Sequence, residues 1–398
     1  MVQLRRSGRD RTARRLASAH DIEDLRRIAK RSTPRPIFDF VDGGAGDESA
    51  LRRNAASFEG LRLIPRVLRD VSNVNPSTQL LGRSISLPLI LGPVGMTKMA
   101  HPDGEIGAAR AAGRAGIPYV LSTMASTTPE AIAKFAPDTD RWFQLYLWQD
   151  RAASKKVLGR ARDAGFRTLM LTVDVAVAGA RLRDARNGMT LPPSLNLKSA
   201  AQIARYPRWW WNALTLEPID FAMFRAERGG FAEQTNSILD PSATFADLGW
   251  LREYWDGPIV VKGVLSASDA RAALDHGANA IMLSNHGGRQ LENAIAPLEV
   301  LAEIRAAIGP TTPLLVDGGA RSGAHVAAAV AAGANAVAIG RPYVYGLMAG
   351  GERGVDHAIA LLRAGFERTM ALLGAANVEQ LVPEMFRLKG PASVGQPD

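Results

Sequence analysis

Cysteine is absent from this chain of 398 residues. Its absence excludes disulfide bonds, thiolate metal ligands and cysteine nucleophiles, and it is compatible with a location in the cytoplasm. Histidine is scarce, since the chain has only 6, and no two of them have the His-x-x-x-His spacing typical of metal ligands. We therefore predict no metal site.

Long apolar runs are also missing. No stretch approaches the ~18 consecutive apolar residues that a membrane-spanning helix needs. Residues 1–15 are rich in arginine but lack the apolar core of a secretory signal, and we interpret them as a disordered basic tail rather than a transit peptide. The net charge of +9 favours anionic partners. Nucleic acid is the alternative partner, but no basic segment interleaved with aromatic residues forms a recognisable binding module, so we predict none.

Short apolar runs recur along the chain, and most follow an alanine-rich segment that ends in glycine. A helix stopped by glycine, a tight turn and a buried strand form one βα unit, and eight such units predict a (β/α)8 barrel. A doubly wound sheet is the alternative fold, but it does not require eight such strands. The predicted strands span residues 87–95, 118–123, 142–148, 168–175, 259–263, 280–284, 314–319 and 336–340.

The pattern divides the chain into an N-terminal extension and helical cap (1–86), a barrel (87–388) and a C-terminal tail (389–398). Within the extension we expect helices at 21–28 and 48–58, with Pro34 and Pro36 ending the first.

The connection between the fourth and fifth predicted strands, from residue 175 to residue 259, is too long to be a single loop and helix. We expect an insertion at about 185–243, followed by a helix at 245–255 capped by Thr244. Within the insertion, residues 205–225 place three adjacent tryptophans beside arginines, a composition typical of a membrane interface. A lid over the site and a contact between subunits are the alternatives.

The end of the sixth strand carries the clearest chemical signal. His286 can exchange a proton near neutral pH, and Arg289 presents a planar fork of donors that matches a carboxylate. A base beside an anion clamp indicates a substrate that carries a carboxylate and loses a proton. A solvated histidine in an ordinary turn is the alternative for this motif taken alone.

Other strand ends supply hydrogen-bonding and charged side chains, and barrels keep their sites at these ends. The loops after the seventh and eighth strands, the usual phosphate seat, contain glycines and the counter-charges Arg321 and Arg341. Gln144, Thr172 and Lys262 lie on the walls between. Together they favour a phosphorylated heterocycle such as FMN, because a phosphosugar would leave those three side chains without a role.

These motifs resemble the FMN-dependent 2-hydroxy-acid dehydrogenase and oxidase family, which includes L-lactate dehydrogenases, mandelate dehydrogenases and glycolate oxidases. The resemblance spans residues 21–388. It is carried by Asp-Gly-Gly-Ala-Gly-Asp-Glu at 42–48, Phe-Gln-Leu-Tyr at 143–146, Lys-Gly-Val at 262–264, Ser-Asn-His-Gly-Gly-Arg-Gln-Leu at 284–291, Asp-Gly-Gly-Ala-Arg at 317–321 and Ile-Gly-Arg-Pro at 339–342.

On the substrate side, the resemblance implies that His286 is the general base and that Asp174 orients its imidazole and stabilises the protonated form. Arg289, with Arg181 nearby, would bind the substrate carboxylate. Tyr146 would bond to the hydroxyl or the carboxylate.

On the cofactor side, the resemblance implies that Lys262 lies beside N1 and O2 of the flavin and stabilises its reduced, anionic ring. The other cofactor-binding residues that it implies are Val94, Gly95, Ser122, Gln144 and Thr172 at the ring, Asp317 at the ribityl chain, Gly318, Gly319, Arg321, Gly340 and Arg341 at the phosphate, and Ser284.

The family usually has tyrosine where Phe40 stands, so one hydroxyl that helps to bind the carboxylate is missing, although Phe40 keeps its place in the substrate site. We therefore expect FMN-dependent oxidation of an L-2-hydroxy acid, lactate-like or mandelate-like, to the 2-oxo acid. Electrons would pass to a quinone-type acceptor, since the insertion and Gly95 resemble the dehydrogenases. An oxidase that makes H2O2 and a flavin-binding protein with impaired turnover are the alternatives.

The resemblance also implies a homo-oligomer, in this family a tetramer. We expect a cytoplasmic protein, held peripherally on the inner face of the cell membrane if residues 205–225 contact lipid.

Overall fold

The computed structural model describes residues 10–188, 206, 209, 222–223 and 239–388. The expected C-terminal tail, the first nine residues and most of the insertion lie outside the described residues. Among the residues that are described, no helix is both long and apolar enough to cross a membrane.

Eight parallel strands of the described chain form a closed barrel, so the predicted (β/α)8 architecture is confirmed. Each strand of the barrel pairs with the next along the chain, and the last strand pairs with the first. The first strand is shorter than the apolar run that predicted it. The barrel strands are β4 (Leu89–Leu91), β5 (Tyr119–Ser122), β6 (Arg141–Tyr146), β7 (Thr168–Thr172), β8 (Ile259–Val264), β9 (Ala280–Leu283), β10 (Leu314–Val316) and β11 (Ala336–Ile339).

Alternate residues of these strands point into the barrel and fill it. Trp142, which is 1% exposed, is the largest of them and packs with Met170 and Met282. A hairpin of β2 (Thr78–Leu80) and β3 (Arg83–Ile85) adds Leu80 and Ile85 to the same cluster. The interior is therefore a packed core, and polar chemistry is confined to the strand ends.

Helices pack around the barrel and bury the outward faces of its strands in a second, larger cluster. Alanine and glycine in these helices allow close approach; a Cβ on Gly323 would lie 1.9 Å from the backbone nitrogen of Phe366. The surrounding helices are α5 (Gly104–Ala115), α6 (Pro129–Phe135), α7 (Arg151–Asp163), α9 (Asp247–Tyr254), α10 (Ala267–Asp275), α11 (Pro297–Ile308), α12 (Gly323–Ala331), α13 (Arg341–Gly350) and α14 (Glu352–Leu373), with α8 (Leu182–Arg186) after β7.

Four helices precede the barrel: α1 (Arg11–Ala17), α2 (Ile22–Ser32), α3 (Arg35–Asp42) and α4 (Ser49–Glu59). Strand β1 (Leu61–Leu63) then pairs with β12 (Phe386–Leu388), which joins the segment after α4 to the last described residues. The domain limits at 86 and 388 stay predictions.

Two helices of the extension, α1 and α3, were not expected from the sequence. Residues 11–15 were expected to be disordered, and this is wrong, because α1 covers residues 11–17 and is capped by the Asp10 side chain. Pro34 and Pro36 do end α2, but they also begin a new helix. Proline fits the first turn of a helix, where its missing N–H has no partner to lose, and so the apolar segment after Pro36 is α3.

The described residues of the insertion contact the barrel at loops distant from their own position in the chain. Trp209 donates its indole N–H to the Met99 carbonyl at 2.8 Å, and Ala222 donates its backbone N–H to the Ala125 carbonyl at 3.0 Å. Those loops follow β4 and β5, whereas the insertion leaves the barrel after β7. Met223 beside them is 5% exposed.

The helix after the insertion begins later than expected. It is α9, its N-cap residue is Ala246, and the predicted Thr244 cap is wrong. Thr244 does not cap the helix with its side chain; instead, its backbone N–H donates to the Asp247 carboxylate at 2.9 Å.

Candidate active site

A cavity of about 270 Å³ opens at the C-terminal ends of the strands. Most of the predicted site residues line it, and three more lie just behind its wall: Asp174, Gln144 and Ser284. The predicted residues that line it are Phe40, Val94, Gly95, Ser122, Tyr146, Thr172, Arg181, Lys262, His286, Arg289, Asp317, Gly318, Gly319, Arg321, Gly340 and Arg341.

One side of the cavity holds a histidine–carboxylate pair. His286 Nδ1 lies 3.0 Å from Asp174 Oδ1, and both side chains are largely buried. Burial acts to raise the pKa of Asp174, but the positive charges of Lys262 and His286, together with the His286 hydrogen bond, keep it below its ordinary value. The carboxylate is therefore ionised and can accept a hydrogen bond from Nδ1. The Tyr146 ring lies beside the imidazole, with ring centroids 6.4 Å apart.

Two guanidinium groups flank the Phe40 ring at the same end of the cavity. The Cζ atoms of Arg181 and Arg289 lie 5.2 Å and 5.3 Å from the ring centroid. Arg181 is paired with Asp184, whereas Arg289 donates to the carbonyls of Phe40 and Gly43 at 2.7 and 2.9 Å. Burial, followed by the charges of Arg181 and Arg341, lowers the pKa of Arg289 to about 9. An anionic ligand would relieve that repulsion.

Lys262 and Asp317 lie at the floor of the cavity, and Ser284 joins them from behind it. The Lys262 ammonium donates to Ser284 Oγ at 2.9 Å, and this hydroxyl donates to Asp317 Oδ2 at 2.9 Å. Lys262 is 3% exposed. The floor therefore offers one fixed positive charge at the centre of the barrel mouth.

Polar atoms around this floor lack protein partners. Among the described residues, Gln144 Nε2, Thr172 Oγ1 and Asp317 Oδ1 are buried without a hydrogen-bond partner. Unpaired buried polar atoms are costly, so their convergence on one cavity indicates a polar ligand. Gln144 is oriented for this, since its Oε1 accepts from Ser122 Oγ at 3.0 Å and leaves the amide N–H2 to a ligand.

The predicted phosphate seat combines two glycines in left-handed backbone with cationic side chains. Gly318 and Gly319 have φ of 84° and 94°. A Cβ on Gly319 would lie 2.1 Å from the Asn54 carbonyl, so glycine is required there. Arg341 differs from the expectation for its side chain. Its guanidinium donates to the carbonyls of Val41, Gly43 and Gly287, which leaves Arg321 as the more accessible counter-charge.

Sequence reasoning missed several residues of the cavity. Met96, Met124 and Leu239 give it an apolar wall. Met124 had a usable signal, because it stands two residues after the end of β5. Leu239 had none, because its position depends on the return path of the insertion.

Arg183 was also missed, although it fixes the loop that carries Arg181. Its guanidinium binds the carboxylates of Asp42 and Glu48 at 2.9 and 2.5 Å. Burial acts to raise the pKa of Asp42, but hydrogen bonds from Arg26, Tyr345 and Arg183 hold it well below its ordinary value. This ionic cluster ties the segment after β7 to the N-terminal extension.

Comparison with known proteins settles the family. Residues 29–388 match the family model described as FMN-dependent dehydrogenase. The chain belongs to the FMN-dependent dehydrogenase family. It is therefore an FMN-dependent oxidoreductase.

Individual relatives in this family have several names. A Mycobacterium tuberculosis protein provisionally named L-lactate dehydrogenase is 46% identical over 398 residues, which is 100% of this chain and 96% of the relative. An L-lactate oxidase from Nostoc is 40% identical over 92% of this chain and 97% of its own length. The structure of a monotopic membrane protein, (S)-mandelate dehydrogenase, superposes with a TM-score of 0.90 at 37% identity, covering 93% of this chain and 100% of that one.

The residues of this FMN-dependent oxidoreductase fit its cofactor. FMN, when bound, supplies a two-electron acceptor. The unpaired atoms of Gln144 and Thr172 would meet the polar edge of its ring, Lys262 would face the part of the ring that gains negative charge, and Asp317 would meet the ribityl hydroxyls. The Gly318–Gly319 backbone and Arg321 would hold the phosphate.

We predict that the purified protein releases FMN and not FAD, because the site has one phosphate seat. Lys262→Met should weaken FMN binding and make the bound flavin harder to reduce, since it removes the buried charge beside the ring. Mass spectrometry of the released cofactor and a reduction-potential titration of the variant provide the measurements. Release of FAD, or an unchanged potential in Lys262→Met, would contradict the assignment.

Proposed function

We propose that this enzyme oxidises an L-2-hydroxy acid to the 2-oxo acid and passes the electrons to a quinone-type acceptor. The observation that carries the proposal is the position of the His286–Asp174 pair beside the Arg181 and Arg289 guanidiniums in one cavity. A 2-hydroxy acid carries its hydroxyl on the carbon next to its carboxylate, so the arginines can bind the carboxylate while the histidine reaches the hydroxyl or the hydrogen of that carbon. The names of the relatives support the same substrate class.

Each side chain then has a separate task. Arg289 and Arg181 bind and orient the carboxylate, and Tyr146 bonds to the hydroxyl or carboxylate from the adjacent wall. With Nδ1 bonded to Asp174, His286 accepts the substrate proton at Nε2. Asp174 holds the imidazole in that tautomer and stabilises its protonated form. Lys262 would stabilise the negative charge that the flavin ring gains on reduction.

The names of the relatives do not distinguish the electron acceptor, because they include both dehydrogenases and an oxidase. Gly95 favoured a dehydrogenase by resemblance, but it also has a packing reason: a Cβ there would lie 2.8 Å from Met124 Cβ and from the Met124 carbonyl oxygen. The long insertion, together with the likeness to a membrane-bound (S)-mandelate dehydrogenase, supports the quinone-type acceptor. An O2-using oxidase is the second candidate.

The substrate class is tested by anaerobic addition of L-lactate, L-mandelate and their D-enantiomers while the flavin absorbance is followed. Bleaching by an L-acid and not by its D-form is expected. Reoxidation by a soluble quinone and by O2, timed in parallel, separates dehydrogenase from oxidase. A flavin that no hydroxy acid bleaches would instead support a binding protein with impaired turnover.

His286→Gln should retain FMN and lose most flavin reduction, because the imidazole acts on the substrate and not on the cofactor. General-base catalysis contributes ~10²–10⁴-fold, and the reduction rate constant should fall by that order. Stopped-flow reduction under anaerobic conditions gives the rate. A near-normal rate in the variant would refute the role of His286.

Phe40 shapes the substrate preference in this proposal. Its ring offers a face to both guanidiniums, and cation–π attraction keeps them in place. It donates no hydrogen bond to the carboxylate, unlike a tyrosine. Its phenyl ring adds apolar wall beside Met124 and Leu239, which suits a larger apolar or aromatic side chain on the substrate.

Phe40→Tyr should lower the apparent Kd for lactate by about tenfold to a hundredfold, because a charge-assisted bond contributes ~1.5–3 kcal/mol and ~1.4 kcal/mol corresponds to one decade. The gain for mandelate should be smaller. Phe40→Leu is the matched control, since it removes the aromatic face without adding a donor, and it should weaken both acids. Reduction titrations of the three proteins measure this. Unchanged lactate affinity in Phe40→Tyr would show that another donor already fills the role.

Residues 205–225 are proposed as a peripheral membrane contact, and a tetramer as the oligomeric state. The Trp209 indole is bonded to the barrel, so any lipid contact through the tryptophan triplet falls to its neighbours at 210 and 211, which lie outside the described residues. A lid over the cavity is the alternative role of this segment.

The double variant Trp210→Ser/Trp211→Ser should reduce binding to vesicles that contain anionic lipid while leaving lactate-driven or mandelate-driven flavin reduction unchanged. Indole rings stabilise proteins at the interface, and serine does not. Co-sedimentation with vesicles is the measurement, and Trp209→Phe is the control that disturbs only the bond to Met99. If the unaltered protein does not sediment with vesicles, the membrane contact is wrong.

A further inference from the structure

The turn that carries His286 has an unusual backbone. His286, Gly287 and Gly288 follow one another in the left-handed region, with φ of 57°, 64° and 74°. Glycine adopts this conformation freely, but a residue with a Cβ does so at a cost and keeps it only where its surroundings impose it. Something must therefore hold His286 in this conformation.

The Asn285 side chain spans this turn. Its Oδ1 accepts from the Gly288 backbone N–H at 2.9 Å, and its Nδ2 donates to the Ile295 carbonyl at 3.0 Å. Asn285 is 4% exposed. The direction of this amide therefore fixes the backbone on both sides of the histidine.

Asn54 holds the Asn285 amide in turn. Each of the two side chains donates its Nδ2 to the Oδ1 of the other, both at 2.7 Å. Asn54 is 1% exposed, so no water competes for these bonds. Paired bonds between two buried amides are strong, and the loss of either partner leaves polar atoms unsatisfied.

The helix that carries Asn54 is α4 of the N-terminal extension, which lies outside the barrel. It meets the turn closely at a second point, because a Cβ on Gly288 would lie 2.5 Å from the Leu51 backbone nitrogen. The Gly288 carbonyl accepts from the Ala45 backbone N–H at 2.9 Å. Backbone contacts thus seat the turn against the extension, while the Asn54 amide sets its conformation.

We propose that Asn54 is a positioning residue for catalysis: through Asn285, it holds His286 in the left-handed conformation in which Nδ1 meets Asp174. This rests on the proposed role of His286 as the base. Asn54 itself contacts neither the substrate nor the proton. Its effect on rate is exerted through the angle and tautomer of the imidazole.

Asn54→Ala and Asn54→Asp test the proposal on the FMN-loaded enzyme. Alanine removes both bonds, and aspartate keeps the side-chain volume while losing the donor. In both variants we expect the limiting rate constant of flavin reduction to fall by about tenfold, the scale set by relaxing one left-handed residue. The apparent Kd for the acid should change little, because the arginines still hold the carboxylate. FMN content and the melting temperature are measured on the same samples.

A second readout is independent of rate. A crystal structure of Asn54→Ala should show His286 Nδ1 farther than 3.0 Å from Asp174 Oδ1. A role in stability alone would leave this distance unchanged.

Arg53→Ala is the matched control, because Arg53 is the neighbouring residue of α4 and ties the helix to the same barrel segment without touching Asn285. Its guanidinium donates to the carbonyls of Asn293 and Ala294 at 2.8 and 2.9 Å. We expect normal reduction in this variant. Equal slowing in Arg53→Ala, or a normal rate and an unchanged Nδ1–Oδ1 distance in the Asn54 variants, would overturn the proposal. Failure of the unaltered enzyme to react with any hydroxy acid would overturn the proposed function instead.

Discussion

The C-terminal end of α3 meets two arginines of the barrel, and the site depends on that contact. A helix leaves its last carbonyls without partners and carries partial negative charge at that end. Arg289 donates to the carbonyls of Phe40 and Gly43, and Arg341 donates to those of Val41 and Gly43. The same bonds satisfy the helix end, neutralise part of the charge of two buried guanidiniums and attach the extension to the barrel.

The mouth of the barrel carries an excess of positive charge. Lys262, Arg181, Arg289, Arg321 and Arg341 line the cavity, whereas Asp317 is the carboxylate among its described lining residues and Asp174 lies just behind the wall. The FMN phosphate and a substrate carboxylate are the anions that complete the balance. The protein therefore gains stability from its ligands, because their binding relieves a repulsion present in the folded state.

Much of this arrangement could be predicted from the sequence because the barrel makes position and function coincide. A buried parallel strand is a recognisable apolar run, and the residue after it lies at the mouth. For that reason the sequence alone predicts that His286, Lys262 and Asp317 lie at the mouth of the barrel. The histidine lies beside Asp174 as the resemblance implied, although the roles of these residues stay proposals.

The remainder depends on contacts between distant parts of the chain that leave no local pattern. Asn54 is one polar residue within an amphipathic helix, and its partner is 231 residues away. From its neighbours in sequence, Arg183 is expected to be an ordinary surface charge. Its partners Asp42 and Glu48 are distant in the chain and lie beside it only in the folded structure. Helix α3 was not predicted, because Pro34 and Pro36 were interpreted only as the end of the preceding helix, whereas they also mark the start of the next one. Arg341 was assigned to phosphate by its neighbours in sequence, while its side chain satisfies the end of that helix.

The joining of the extension to the barrel has a consequence for biosynthesis. The bonds from Arg289 to Phe40 and from Arg341 to Val41 close loops of 249 and 300 residues. The pairing of β1 with β12 closes a still longer loop, since Leu61 pairs with Leu388. Contacts this distant form late, after the entropy of a long loop has been overcome. In a nascent chain on the ribosome, the carbonyls of Phe40 and Val41 therefore have no arginine partners until residues 289 and 341 have been synthesised, so the cavity that holds the flavin is completed only after residue 341.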